Sequence, residues 1–206
     1  MYIELLDILR CTSDHPQIPL VTAISERDGR FVVDATVGCP ACRREYRVVR
    51  GVAWFTDELP PETPAPIATP DDEAAVRLAA FLAVSEGATY AITGEWARHA
   101  PEIAELVAAR IYALNPGHVI EETERLGVIR SDRRLPFAHA SLRGLAIGDA
   151  SLSETELDAA LGAVAPGGRL VAPASLPVPA GVSELARDDS VWVGEKRGPL
   201  VVLHRR

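Results

Sequence analysis

The sequence predicts an α/β protein with a small metal-binding ribbon at its N-terminal end, and three observations carry that reading. All three cysteines and one histidine fall in two short clusters, Cys11 with His15 and Cys39 with Cys42, and a hairpin signal lies between them. From residue 74 onward helical and strand patterns alternate, which implies a mainly parallel sheet covered by helices. Two late strand patterns joined by a tight turn add a terminal antiparallel hairpin to that sheet.

In residues 2–9, Ile3, Leu5, Leu6, Ile8 and Leu9 give a short helix an apolar face. Residues 19–25 read as a strand, Asp28-Gly29 as a hairpin turn, and 30–37 as the return strand that delivers Cys39-Pro40-Ala41-Cys42. Residues 46–49 and 52–55 close the ribbon, which spans 1–55. Residues 56–73 read as an extended, solvated linker, because Pro60, Pro61, Pro64, Pro66 and Pro70 sit among acidic side chains. The α/β region then spans 74–206. Helices are expected over 74–84, 97–108 and 154–164, with a short helical piece at 120–125. Strands are expected over 89–93, 110–114, 127–130, 144–148 and 169–172, with the late pair at 190–195 and 200–204.

Of the 206 residues, 48% are apolar and 24% charged, enough for one medium core and a small satellite. No apolar stretch is long enough to cross a bilayer, and the acidic start lacks the basic region of a signal peptide. The cytoplasm is therefore the expected location. The net charge is −8, and the charges up to Phe55 balance, so the acidic excess lies after it. An acidic body repels phosphate backbones and argues against nucleic acid as the main ligand. Arg43, Arg44, Arg47 and Arg50 form a basic run that could touch RNA, but with only Tyr46 interleaved they read better as a solvated face.

An odd number of cysteines leaves one unpaired in any disulfide scheme, whereas a metal site with one histidine uses all three. Zinc takes thiolate and imidazole ligands in a tetrahedron. Cys39-x-x-Cys42 supplies two from one tight turn, and Cys11-x-x-x-His15 two from a second loop. A redox Cys-x-x-Cys belongs at a helix N-terminus, whereas this pair follows a strand and encloses Pro40. The four form a closed set, so the expected zinc is structural, and it supplies folding energy that so small a module lacks.

Leu5-Leu6-Asp7-Ile8-Leu9-Arg10-Cys11, Gly38-Cys39-Pro40-Ala41-Cys42 and Tyr46 with Arg50-Gly51-Val52-Ala53 resemble the zinc-ribbon activator subunit of tRNA, ribosomal RNA and release-factor methyltransferases. The resemblance covers the first quarter of the chain, with His15 standing where that family usually has a second Cys-x-x-Cys. It implies a ribbon that joins a methyltransferase by adding strands to its sheet. Residues 135–142, strand 144–148 and 165–171 resemble the class I S-adenosylmethionine-dependent methyltransferases, which implies a shortened Rossmann-like domain. On that resemblance the cofactor-binding positions are Gly94, Asn115, Asp132 and Asp149, with Ser131 as an alternative to Asp132. The first strand-end loop, Gly94-Glu95-Trp96, keeps one glycine where the family has several, so Glu95 and Trp96 are expected to obstruct the cofactor's methionine part. Asn115 stands where an acidic residue usually meets the ribose. His99 and His139 could be acid–base groups but read better as core or surface histidines.

These readings lead to a zinc protein whose degenerate methyltransferase-like domain serves as a non-catalytic binding or scaffolding partner, for a methyltransferase or a second copy of itself. An S-adenosylmethionine-dependent methyltransferase with its ribbon in cis is the alternative, and an RNA-binding ribbon a third.

Overall fold

The strands of both halves join in one sheet of order β1-β2-β3-β4-β7-β6-β5-β8-β9-β11-β10. The structure is a computed structural model and describes residues 1–57, 71–132 and 134–198. The first half contributes β1 (Val21–Asp28), β2 (Phe31–Gly38), β3 (Glu45–Val49) and β4 (Val52–Phe55), an antiparallel meander. Gly29 makes the expected β1–β2 turn. The β3–β4 turn is Arg50-Gly51, both with positive φ, as a two-residue hairpin requires. A Cβ on Gly51 would run into Glu122, Phe31 and the nitrogen of Met1, so only glycine lets the two halves close here.

The second half contributes β5 (Thr89–Gly94), β6 (Arg110–Leu114), β7 (Leu126–Ser131), β8 (Leu142–Gly148) and β9 (Val164–Pro173), all parallel, then β10 (Val182–Arg187) and β11 (Val191–Lys196). Strand β11 lies antiparallel between β9 and β10. The antiparallel pair at this edge is thus β10 with β11; the expected strand at 200–204 lies outside the described residues.

The halves meet where β4 pairs in parallel with β7, in the register Ala53↔Ile129, Trp54↔Arg130 and Phe55↔Ser131. One apolar core runs across that junction. It holds Leu5, Leu9, Val37, Tyr46 and Phe55 from the first half with Tyr112, Phe137, Leu145, Leu161 and Trp192 from the second. A second core on the opposite face lies under α1 (Asp72–Leu82) and α2 (Ala100–Leu106), and α3 (Glu154–Ala163) covers part of the first.

Several local expectations change. Residues 2–9 form only a 3-10 turn, Ile3–Leu5, because neighbours draw the chain out: Ile3 N–H donates to Arg30 O at 3.0 Å and Leu9 bridges to Phe137. The expected helix at 97–108 divides into a 3-10 segment, Glu95–His99, and α2, since Pro101 has no N–H to continue the first into the second. No helix forms at 120–125. There Glu122 turns inward to accept from Val128 N–H at 2.8 Å and to pair with the Met1 ammonium at 3.1 Å. Asp72 and Glu73, placed in the linker on sequence, begin α1, whose N-cap Asp71 accepts from Ala74 N–H at 3.1 Å. Residues 58–70 of that linker lie outside the described residues. Among the described residues no helix is long and apolar enough to cross a membrane.

Candidate metal centre and the cleft beside it

Strand β2 ends at Gly38 and the chain turns tightly through Cys39 and Cys42. Arg43 N–H donates to Cys39 O at 2.8 Å and Cys39 N–H to Arg44 O at 2.9 Å, with Arg43 in the left-handed region. This turn faces the loop that carries Cys11 and His15. The four ligand atoms all lie within 4.8 Å of one another. Cys11 Sγ and Cys42 Sγ are 3.6 Å apart, and Cys39 Sγ is 3.3 Å from His15 Nε2. A tetrahedral zinc with Zn–S near 2.3 Å and Zn–N near 2.0 Å sets ligand–ligand edges of about 3.5–3.8 Å, so the donor set fits. At 3.6 Å the Cys11 and Cys42 sulfurs are not bonded, and all three cysteines are free.

The surroundings orient the ligands. His15 Nδ1 donates to Pro16 O at 2.8 Å, which turns Nε2 toward the thiols as the nitrogen that would bind a metal. Cys11 Sγ accepts from Ser13 N–H at 3.4 Å and lies 3.1 Å from the Tyr46 hydroxyl. Tyr46 also accepts from Thr12 N–H and stacks on Phe55 at 4.4 Å, which ties the knuckle to the sheet. Burial opposes ionisation of Cys11, but hydrogen bonds from Ser13 and Tyr46 outweigh it and bring the thiol down to about 6. The Pro16 carbonyl, helped by the Cys11 and Cys42 thiols, lifts His15 to about 9. Burial raises Cys39, while the Arg44 backbone N–H lowers Cys42.

A cleft of about 560 Å³ opens at the C-terminal ends of β5, β6, β7 and β8, where α/β sheets bind ligands. Gly94, Asn115, Asp132 and Asp149, four positions far apart in sequence, all line it. Their chemistry is largely spent within the chain. The Asn115 amide donates to Ser131 O at 2.8 Å and accepts from Ser131 N–H at 2.9 Å, which clamps the ends of β6 and β7. Asp149 accepts from the Ser151 N–H and hydroxyl at 2.8 and 2.7 Å. Ser131 is buried, with its hydroxyl donating to Arg134 O at 2.7 Å. Asp132 is exposed.

The loop after β5 differs from expectation. Gly94 has φ +61°, and a Cβ there would stand 3.1 Å from the Gly148 carbonyl carbon, so the ends of β5 and β8 touch backbone to backbone. The following 3-10 turn carries Trp96 onto the core beneath α1, and exposed Glu95 lines a neighbouring hollow with Arg98 and His118. Trp96 therefore does not fill the cleft. His99 is buried on the α1/α2 face, its Nε2 accepting from Arg98 Nε at 3.3 Å; His139 is exposed. Arg43, Arg47 and Arg50 are exposed, while Arg44 pairs with Asp57 at 3.2 Å. Unforeseen on sequence is a groove of about 360 Å³ between knuckle and cleft, lined by Thr12, Arg44, Phe55 and Arg134. Its members come from four separate segments with no common motif.

No protein family and no curated protein matches the chain in sequence. In three dimensions the chain is similar to a Methanococcus maripaludis protein assigned as an S-adenosyl-L-methionine-dependent methyltransferase. The TM-score is 0.48 at 10% identity, over 64% of this chain and 87% of that one. An Escherichia coli protein assigned as a methyltransferase gives 0.47 at 15% identity, over 65% of this chain and 90% of its own. Phosphoethanolamine N-methyltransferase 2 of Haemonchus contortus, solved with phosphomonomethylethanolamine and S-adenosylhomocysteine, gives 0.42 at 12%, over 49% and 28%. These are likenesses of outline.

Proposed function

We propose that this chain is a structural-zinc protein whose methyltransferase-like sheet binds or scaffolds a partner and does not transfer methyl groups. Cys11, His15, Cys39 and Cys42 would hold the zinc. Four protein ligands leave no open coordination position, so the ion supplies folding energy and no reaction step. The observation that carries the non-catalytic reading is the Asn115–Ser131 clamp: the group at the end of β6, where a ribose would be held, already spends one amide N–H and its carbonyl oxygen on the Ser131 backbone, which fixes its orientation. The turn after β5 leads into a five-residue 3-10 segment and offers no long helix N-terminus to a charged ligand. The partner is a protein, a methyltransferase or a second copy of the chain. With β4 already paired in cis to β7, the open edges among the described residues are β1 and β10. The cytoplasm is the proposed location.

The alternative, an active S-adenosylmethionine-dependent enzyme, draws on one observation: the cleft is open, with exposed Asp132 on its rim and Trp96 turned away. Calorimetric titration with S-adenosylmethionine separates the two. Absent or millimolar binding supports the scaffold; a low-micromolar Kd, or cofactor retained through purification, overturns it.

A further inference from the structure

Between β7 and β8 no helix packs on the sheet among the described residues, and the segment 134–139 that walls the cleft through Arg134 and Leu135 is held from outside. The holding residues are 8–17. Arg10 N–H donates to Pro136 O at 2.9 Å and Ala138 N–H to Ile8 O at 2.8 Å. Gln17 closes a reciprocal pair: its amide donates to Phe137 O at 3.1 Å and accepts from His139 N–H at 2.8 Å. Asp14 adds an ion pair with Arg134 at 3.6 Å. Cys11 and His15 lie within this same stretch, and His15 stands two residues before Gln17.

We infer that metal held at the two knuckles fixes the wall of the strand-end cleft, with Gln17 as the positioning residue that carries the coupling. The inference rests on the zinc reading above. Residues 12–17 are polar apart from Pro16 and bury little apolar surface, so ordering them costs conformational entropy that packing does not offset. Two ligand bonds supply the constraint from one side. The Gln17 amide, bonded to two backbone groups of the wall at once, transmits it to the other. A metal lost from the knuckle therefore frees the wall as well as the loop, and the shape of the cleft depends on a site outside it.

Amide hydrogen exchange on the full, zinc-loaded chain tests this, with and without a chelator, beside a Gln17→Ala variant. Chelation is expected to speed exchange of the Ala138 and His139 amides by about tenfold or more, and by a clearly larger factor than it speeds amides of β9 and β11. Gln17→Ala is expected to keep its zinc and still speed exchange at His139. Protein that neither contains zinc nor takes it up overturns both this inference and the zinc reading. Zinc-loaded protein in which chelation speeds only residues 11–17 and 39–44 overturns the coupling alone, as does equal loss of protection in β9 and β11. A Gln17→Ala variant with His139 as protected as in the parent removes Gln17 from the coupling.

Discussion

Asn115 shows how one side chain can lie in a ligand position and serve the fold. Its amide satisfies both backbone groups of buried Ser131, and its φ of +50° suits asparagine better than most residues. Asn115→Ala should leave the Ser131 N–H and C=O unpaired at a cost of about 1–3 kcal/mol, a lowering of Tm by roughly 2–4 °C per kcal/mol in a chain of this size. Thermal unfolding measures this; an unchanged Tm would show that the clamp is dispensable and its amide free for a ligand. His99 makes a second residue-scale case. Burial first, and then the Arg98 guanidinium, hold its pKa below 6.5, with Arg77 acting the same way and Glu102 and Asp71 opposing. The unfolded chain thus binds more protons than the folded one between the lowered value and 6.5. The stability tied to neutral His99 is full above pH 6.5 and is lost as pH falls through the folded value. Denaturant melts between pH 5 and 7 should show that slope, and His99→Gln should flatten it.

At the scale of elements, β4 and α3 show local signals acting in different ways. Helix α3 starts at Ser153, whose hydroxyl accepts from Glu156 N–H while Glu156 reaches back to Ser153 N–H, a complete capping box. Ser153→Ala should cost about 1 kcal/mol, visible as a lower denaturant midpoint. The same helix lines the cleft, so this variant also reports whether the cleft tolerates a looser rim. Strand β4 is four residues long and could not stand as an edge by itself. It is stable because β3 pairs one side and β7 the other, with Phe55 and Tyr46 stacked beneath. Strand β4 thus joins the two halves into one sheet within this chain.

For the whole molecule the shared core matters most. Leu5 and Leu9 lie in one cluster with Tyr112 and Phe137, and the Tyr112 hydroxyl donates to Leu5 O at 2.6 Å, so the N-terminal segment covers sheet that would otherwise be bare. A ribbon with its own core would unfold alone on losing its metal. Here Cys39→Ser should lower zinc content and also lower the stability of the β5–β8 sheet, with far-UV and tryptophan signals changing in one coincident transition. Two separated transitions would mean that the junction at β4–β7 couples the halves only weakly.

Several features could be read from the residues alone because their causes are local. The Cys-x-x-Cys turn, the Asp28-Gly29 hairpin and the strands β5, β6 and β8 depend on neighbours a few positions away. The gathering of Gly94, Asn115, Asp132 and Asp149 at one sheet edge follows from each standing just at or after a strand end. What the tertiary structure alone decided involves partners far apart in the chain. The direction of Trp96, the engagement of Asn115 by Ser131, the turning inward of Glu122 and the grip of Gln17 on 137–139 all depend on which strands become neighbours. So does the union of both halves in one sheet, since the β4 pattern is that of any short strand, and only the free edge of β7 beside it selects its partner.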